Sequence, residues 1–125
     1  MPTIVHLEDD PWIAREVGQA CSKAGFRYIW LSEPPDTLVD TICSYKPDGV
    51  LSDINMPRTS GLVVVHALRS DPRTRSLPIM LYTTMQSDTV REQAFAAGAT
   101  DFFTKYATSP EDVVAALVLL IAHHA

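Results

Sequence analysis

Cysteine is scarce in this sequence: Cys21 and Cys43 are its two copies, and no CxxC spacing points to a metal or redox motif. Both fall in helix-like segments, where a reduced cysteine packs as a small apolar residue, the usual state in the cytosol. Long apolar runs are missing too. The longest, Val113–Ala122, has ten residues, against the ~20 of a membrane-crossing helix. No basic segment precedes an apolar one in MPTIVHLEDD, which argues against a signal peptide. Positive charge is in deficit, with 10 Lys and Arg against 15 Asp and Glu and a net charge of −5. A phosphate-backbone partner needs the reverse, clustered Lys and Arg. No GxxxxGK[ST] loop cradles a nucleotide. These absences predict a cytoplasmic protein with no membrane and no nucleic-acid partner.

What is present fits a single domain over residues 1–125, with 46% apolar residues, too many for disorder. A chain of this length buries roughly 65–70% of its unfolded surface. Ile4–Leu7 is a short apolar run, and Asp10-Pro11 reads as an N-cap with proline at the first helical position. Ile13, Val17, Ala20, Cys21 and Ala24 recur at helical spacing until Gly25. Tyr28–Leu31 is a second strand, and Glu33-Pro34-Pro35-Asp36 opens a second helix. Val50–Asp53 is the third strand. Gly61–Ser70 is read as a helix although Val63-Val64-Val65 prefers a strand, because a crossover is required there. Pro78–Tyr82 is the fourth strand, Asp88–Ala97 the fourth helix, and Thr100–Thr104 the fifth strand. Ser109-Pro110-Glu111-Asp112 has a capping-box form and starts a helix running to about His123. Strands alternating with helices predict an α/β fold, a doubly wound five-stranded parallel sheet with helices on both faces.

In such sheets the functional crevice lies beyond the carboxyl ends of the strands. The first strand ends in Glu8-Asp9-Asp10, the third in Asp53, the fourth in Thr83-Thr84, the fifth in Thr104-Lys105. Carboxylates gathered at one edge repel one another unless a cation joins them, and an all-oxygen set suits Mg²⁺. Mg²⁺, a lysine and a hydroxyl are the parts that stabilise a transferring phosphoryl group. With no nucleotide loop the acceptor is a side chain, and Asp53 has the position for it. Each residue also has a bland explanation: Asp10 caps a helix, a strand-end lysine faces water, and Thr83 bonds backbone. Polar groups from four strand ends at one edge are together harder to explain that way.

With these residues in hand, the chain resembles the receiver domain of two-component response regulators, over essentially all of its length. The resemblance rests on Glu8-Asp9, the DINMP block with Asp53 and Gly61, Thr83 after PIMLY, and GATDFFTK with Lys105. It implies a flavodoxin-like strand order, 2-1-3-4-5. It implies that Asp53 accepts a phosphoryl group from a histidine kinase or histidine phosphotransfer protein. Asp9, Asp53 and the backbone carbonyl of Asn55 would then hold Mg²⁺, with Glu8 acting through water. Thr83 and Lys105 would contact the phosphoryl oxygens, and Phe102 would take the aromatic switch position. Pro57 would fix the loop's turn, and Gly61 would let the chain re-enter a helix. Such a domain switches its surface and is not a turnover enzyme, its chemistry being confined to its own carboxylate. The alternative is a receiver-like interaction module that works without phosphorylation. An Asp-nucleophile hydrolase is disfavoured, because Asn55 stands where the second acid would be and a cap domain has no room.

The sequence also departs from the family pattern. Tyr106 stands where a proline follows the lysine; a cis bond costs about 3–4 kcal/mol before other residues, so Lys105–Tyr106 is predicted to be trans. His6, His66, His123 and His124 share no zinc-ligand spacing, and protonated His123 and His124 would suit a helix C-terminus. In the last helix Val113, Val114, Leu117, Val118, Leu119, Leu120 and Ile121 exceed the ~100° stripe of a one-sided helix. Some of that surface is predicted to be exposed, and the resemblance implies homodimer or output contacts through helix 4, strand 5 and helix 5. Thr84 replaces a small residue after the switch threonine and is expected to narrow access to Asp53. Thr84→Ala should therefore speed phosphoryl exchange at Asp53 in an acetyl phosphate time course; an unchanged rate removes that role.

Overall fold

The computed structural model describes residues 1–124 and the side chains of 1–123. Its elements are β1 (Thr3–Leu7), α1 (Pro11–Lys23), β2 (Arg27–Leu31), α2 (Leu38–Tyr45), β3 (Gly49–Ser52), β4 (Asn55–Met56), β5 (Thr59–Ser60), α3 (Gly61–Ser70), β6 (Ile79–Thr83), α4 (Asp88–Ala97), β7 (Asp101–Thr104) and α5 (Pro110–His124). Five strands form one parallel sheet in the order β2-β1-β3-β6-β7. Counted over the sheet strands alone, this is the expected 2-1-3-4-5.

Alternation along the strands divides the core in two. Val5, Leu7, Val50, Ile79 and Leu81 face Ile42 of α2, Val64, Val65 and Leu68 of α3, and Ala94 of α4. Ile4, Leu51, Met80 and Tyr82 face Val17, Ala20 and Cys21 of α1 and Val113, Val114 and Leu117 of α5. Each fully buried aliphatic side chain contributes roughly 1.5–3 kcal/mol. In α3 that burial outweighs the strand preference of three consecutive valines: Val64 and Val65 are buried while Val63 faces solvent. The helix starts are set as the sequence suggests. Asp10 accepts from Trp12 N at 2.9 Å ahead of Pro11, and Ser109 accepts from Asp112 N at 3.2 Å ahead of α5.

Several boundaries differ from the sequence reading. Asp53 lies one residue past β3, Thr100 just before β7, and β6 runs from Ile79 to Thr83. The helix expected to open at Glu33–Asp36 begins at Leu38, because consecutive prolines hold the residues before them extended. A small antiparallel hairpin, Asn55–Met56 against Thr59–Ser60, had no signature in the sequence; Pro57 and Arg58 form its turn, Arg58 with a φ of 70°. Among the described residues every peptide bond is trans, Lys105–Tyr106 included. His123 Nδ1 lies 2.7 Å from Leu119 O at the end of α5, whereas the side chain of His124 falls outside the described ones. No described helix is long and apolar enough to cross a membrane.

Gly61 acts through space rather than through backbone freedom. Its N–H donates to Ile54 O at 2.9 Å, and a Cβ there would lie 2.1 Å from Asp53 O. The hairpin folds back so tightly that α3 starts against the backbone of Asp53. Gly61→Ala should cost about 3 kcal/mol, since backbone must move to admit a methyl group. Gly25→Ala, at a φ of 81° but with nothing within 4 Å, should cost about 1 kcal/mol. Urea unfolding of the two variants checks the order.

Candidate functional site

The hydrogen-bond ladder of the sheet continues one residue beyond its strands. Glu8 N donates to Leu31 O at 3.1 Å, Asp53 N to Leu7 O at 2.9 Å, and Lys105 N to Thr83 O at 2.8 Å. These three residues therefore leave the sheet from backbone positions fixed by neighbouring strands. Their side chains converge at the carboxyl edge. Lys105 Nζ lies 2.7 Å from Glu8 Oε1 and 3.1 Å from Asp53 Oδ2. Asp53 Oδ1 accepts from Ile54 N at 2.7 Å, and Glu8 Oε2 accepts from Asp10 N at 3.2 Å.

Glu8 and Asp53 are buried, while Asp9 is exposed. One carboxylate oxygen from each of the three lies within 4.8 Å of the others. This all-oxygen, partly open set fits a hard divalent cation such as Mg²⁺ that keeps some of its waters. Burial alone would lower the Lys105 pKa, but Glu8 and Asp53 together overcome it and raise the pKa, so the ammonium stays charged. For Glu8, burial is the larger influence: it pushes the carboxyl up to about 7, with Asp53 adding to the rise and Lys105 opposing it.

Thr83 ends β6 fully buried, its Oγ1 accepting from Met85 N at 3.3 Å. Phe102 is buried on β7, with the Arg91 guanidinium carbon 5.7 Å from its ring centre and 5.1 Å from that of Phe95. Asn55, Pro57, Thr84 and Tyr106 are all exposed around the site, Tyr106 by 73%. The large exposed apolar residues of α5 are Val118 and Leu119, which open on a groove of about 560 Å³ shared with Ala20, Lys23 and Ala24 at the end of α1.

Three contributors went unread in the sequence: Trp30, Tyr28 and His6. Trp30 Nε1 donates to Glu8 O at 2.7 Å and so anchors the acidic turn from the edge strand β2. His6 is fully buried, its Nδ1 2.6 Å from the Tyr28 hydroxyl and its Nε2 4.0 Å from Glu8 Oε1. A signal existed for His6: it precedes Glu8 by two residues in a strand and so shares its face. Burial, helped by the charge on Lys105, pulls the His6 pKa down to about 3.

His6 and Glu8 thus perturb stability in opposite directions. Between about pH 4.5 and 6.5 the unfolded chain carries a protonated imidazole and an ionised carboxylate, whereas the folded chain carries both groups neutral. Their proton counts match, so this pair gives no net slope in that window. His6→Val removes the imidazole and leaves Glu8, whose raised pKa means the folded state binds the extra proton. In metal-free protein the variant should lose stability as pH rises from about 4.5 to about 7, by comparison with wild type. Urea midpoints at pH 5 and pH 6.5 measure the difference.

Comparison with known proteins agrees with this geometry. The family model for the response regulator receiver domain matches residues 4–118. The chain is 30% identical over 104 residues to protein RcaC of Microchaete diplosiphon, covering 82% of this chain and 16% of that protein. It is 30% identical to the phosphate regulon transcriptional regulatory protein PhoB of Pseudomonas aeruginosa, covering 92% and 49% respectively. It thus spans less than half the length of either relative. Among solved structures, the BeF₃-activated N-terminal receiver domain of Klebsiella pneumoniae RstA superposes with a TM-score of 0.81 at 31% identity, over 95% of this chain and 97% of that one. By fold, acidic edge and family match together, this chain belongs to the response regulator receiver domains.

Proposed function

We propose that the protein is a phosphorylatable receiver with Asp53 as its acceptor. The observation that carries this reading is the half-buried Lys105 ammonium shared between Glu8 and Asp53 at 2.7 and 3.1 Å, with Asp9 at the same edge. An Asp53 carboxylate oxygen attacks the phosphorus of a phosphohistidine on a histidine kinase or phosphotransfer protein. An O–P bond forms as the P–N bond breaks, and the imidazole leaves. Water later attacks the same phosphorus, releasing inorganic phosphate and restoring the carboxylate.

Asp9, Asp53 and the Asn55 carbonyl would hold Mg²⁺, with Glu8 supporting it through water. The metal supplies positive charge against the phosphoryl oxygens. Lys105 and the Thr83 hydroxyl bind the oxygens that remain, and the buried position of Asp53 limits access of competing water. If the phosphoryl group favours one arrangement of the loop after Thr83, Phe102 and the surface over α4 and β7 follow it, a shift of population between two states. Homodimer or output contacts belong to the α4–β7–α5 face in this reading. It draws support from RstA, a 31% identical receiver described as BeF₃-activated. The second reading, an interaction module that works without phosphorylation, rests on the exposed Tyr106 in place of proline.

One experiment separates the two. With Mg²⁺ and acetyl phosphate, wild type should gain one phosphoryl mass on Asp53, and beryllofluoride should shift the amide resonances around Ile54 and Thr83. Asp53→Asn should do neither. A wild type no more responsive than the variant leaves the interaction module.

A further inference from the structure

Phosphoacceptor chemistry gives His6 no task, yet this imidazole is fully buried in β1 on the same face as Glu8. An aliphatic side chain would fill the position without the cost of burying two polar nitrogens. Nδ1 is satisfied by the Tyr28 hydroxyl at 2.6 Å, while Nε2 has no hydrogen-bond partner and lies 4.0 Å from Glu8 Oε1. The place of Tyr28 is prepared from α1: a Cβ at Gly18 would meet the Tyr28 ring at 3.0 Å. The missing side chain lets the ring lie under the helix with its hydroxyl on His6.

With Glu8 ionised, these contacts favour one tautomer. If Nδ1–H donated to Tyr28, the Nε2 lone pair would face the oxygens of Glu8. The phenol proton would also lack an acceptor among the described contacts. With the Tyr28 O–H donating to Nδ1, the imidazole carries its proton on Nε2, directed toward Glu8. A ring nitrogen's role is set in this way by the bond its partner nitrogen makes.

We propose that His6, held as the Nε2–H tautomer by Tyr28, is a positioning residue that takes over Glu8 Oε1 when Lys105 turns to the phosphoryl group. The proposal rests on Asp53 being the phosphoacceptor. Lys105 is the nearest cation to Glu8, at 2.7 Å, and it also reaches Asp53. A phosphoryl group on Asp53 draws the ammonium toward its own oxygens and leaves Oε1 in a site closed to water. A carboxyl oxygen left there without a partner bears the cost of its lost hydration, whichever its charge. A shift of about 1 Å brings Nε2–H within hydrogen-bond distance. Glu8 then keeps its place beside Asp9 and Asp53 after its lysine has gone.

Ring ¹⁵N spectra of histidine-labelled wild-type protein test this directly. The free protein should show His6 with a protonated Nε2 and an unprotonated Nδ1, and Tyr28→Phe should mix the tautomers. On adding Mg²⁺ and beryllofluoride, the His6 Nε2–H resonance should shift together with the Ile54 amide. A protonated Nδ1 in the free protein overturns the proposal. So does an unmoved His6 ring while the Ile54 amide shifts, which leaves the phosphoacceptor reading intact. If neither moves, both fall. Variants give a second measure, Mg²⁺ affinity with beryllofluoride present, the state in which Lys105 has turned away: His6→Val should weaken it about tenfold, as loss of an outer-shell partner does. His6→Gln, which keeps an N–H donor, should stay within about threefold of wild type. Equal affinity in His6→Val and wild type, or equal loss in both variants, counts against the role.

Discussion

The site depends on one half-buried cation. Lys105 places its ammonium between two carboxylates that could not otherwise stand together away from water, 2.7 Å from Glu8 and 3.1 Å from Asp53. The ion contacts in turn demand a scaffold that delivers three residues, far apart in sequence, to one small volume. A parallel sheet does this because all of its strands end at the same edge. Here the ladder extends a residue further, so Glu8, Asp53 and Lys105 are each tied by a backbone bond to the neighbouring strand before their side chains diverge from it.

Around this cation the protein has arranged compensations of different kinds. The hairpin after Asp53 is pinned by Gly61, where the approach of α3 to the Asp53 carbonyl leaves no room for a side chain. Trp30 holds the Glu8 carbonyl from the edge strand, and Asp10 both caps α1 and donates its N–H to Glu8. Burial moves the pKa values of His6 and Glu8 in opposite senses, so between about pH 4.5 and 6.5 they fold as a neutral pair beside a charged lysine. Phe102 is enclosed on the far side by Arg91, whose guanidinium also covers Phe95. Such cation–π contacts are worth about 0.5–1 kcal/mol when exposed and more when desolvated.

The acidic pair, Asp53, Thr83 and Lys105 were legible in the sequence because strand ends can be read from apolar runs and their punctuation. The fold class followed from alternation of strand and helix, and α3 from the need for a crossover where valines alone suggested a strand. Trp30 and Tyr28 escaped notice for a simple reason. Each acts across a strand pair, Trp30 being opposite His6 in the β1–β2 register, and register is not written in either strand alone. The Asn55–Ser60 hairpin escaped for another: two-residue strands leave no period to detect.

The sequence by itself determined the α/β architecture, the acidic strand ends and the resemblance that joined them, since these depend on local pattern and on the spacing of a few residue types. Only the tertiary structure decided that Glu8 is buried while Asp9 beside it is exposed. It alone showed that the ammonium of Lys105 joins Glu8 to Asp53, and that a buried histidine lies 4.0 Å from Glu8. Burial and direction are properties of packing between distant segments, and they set which charges lose water.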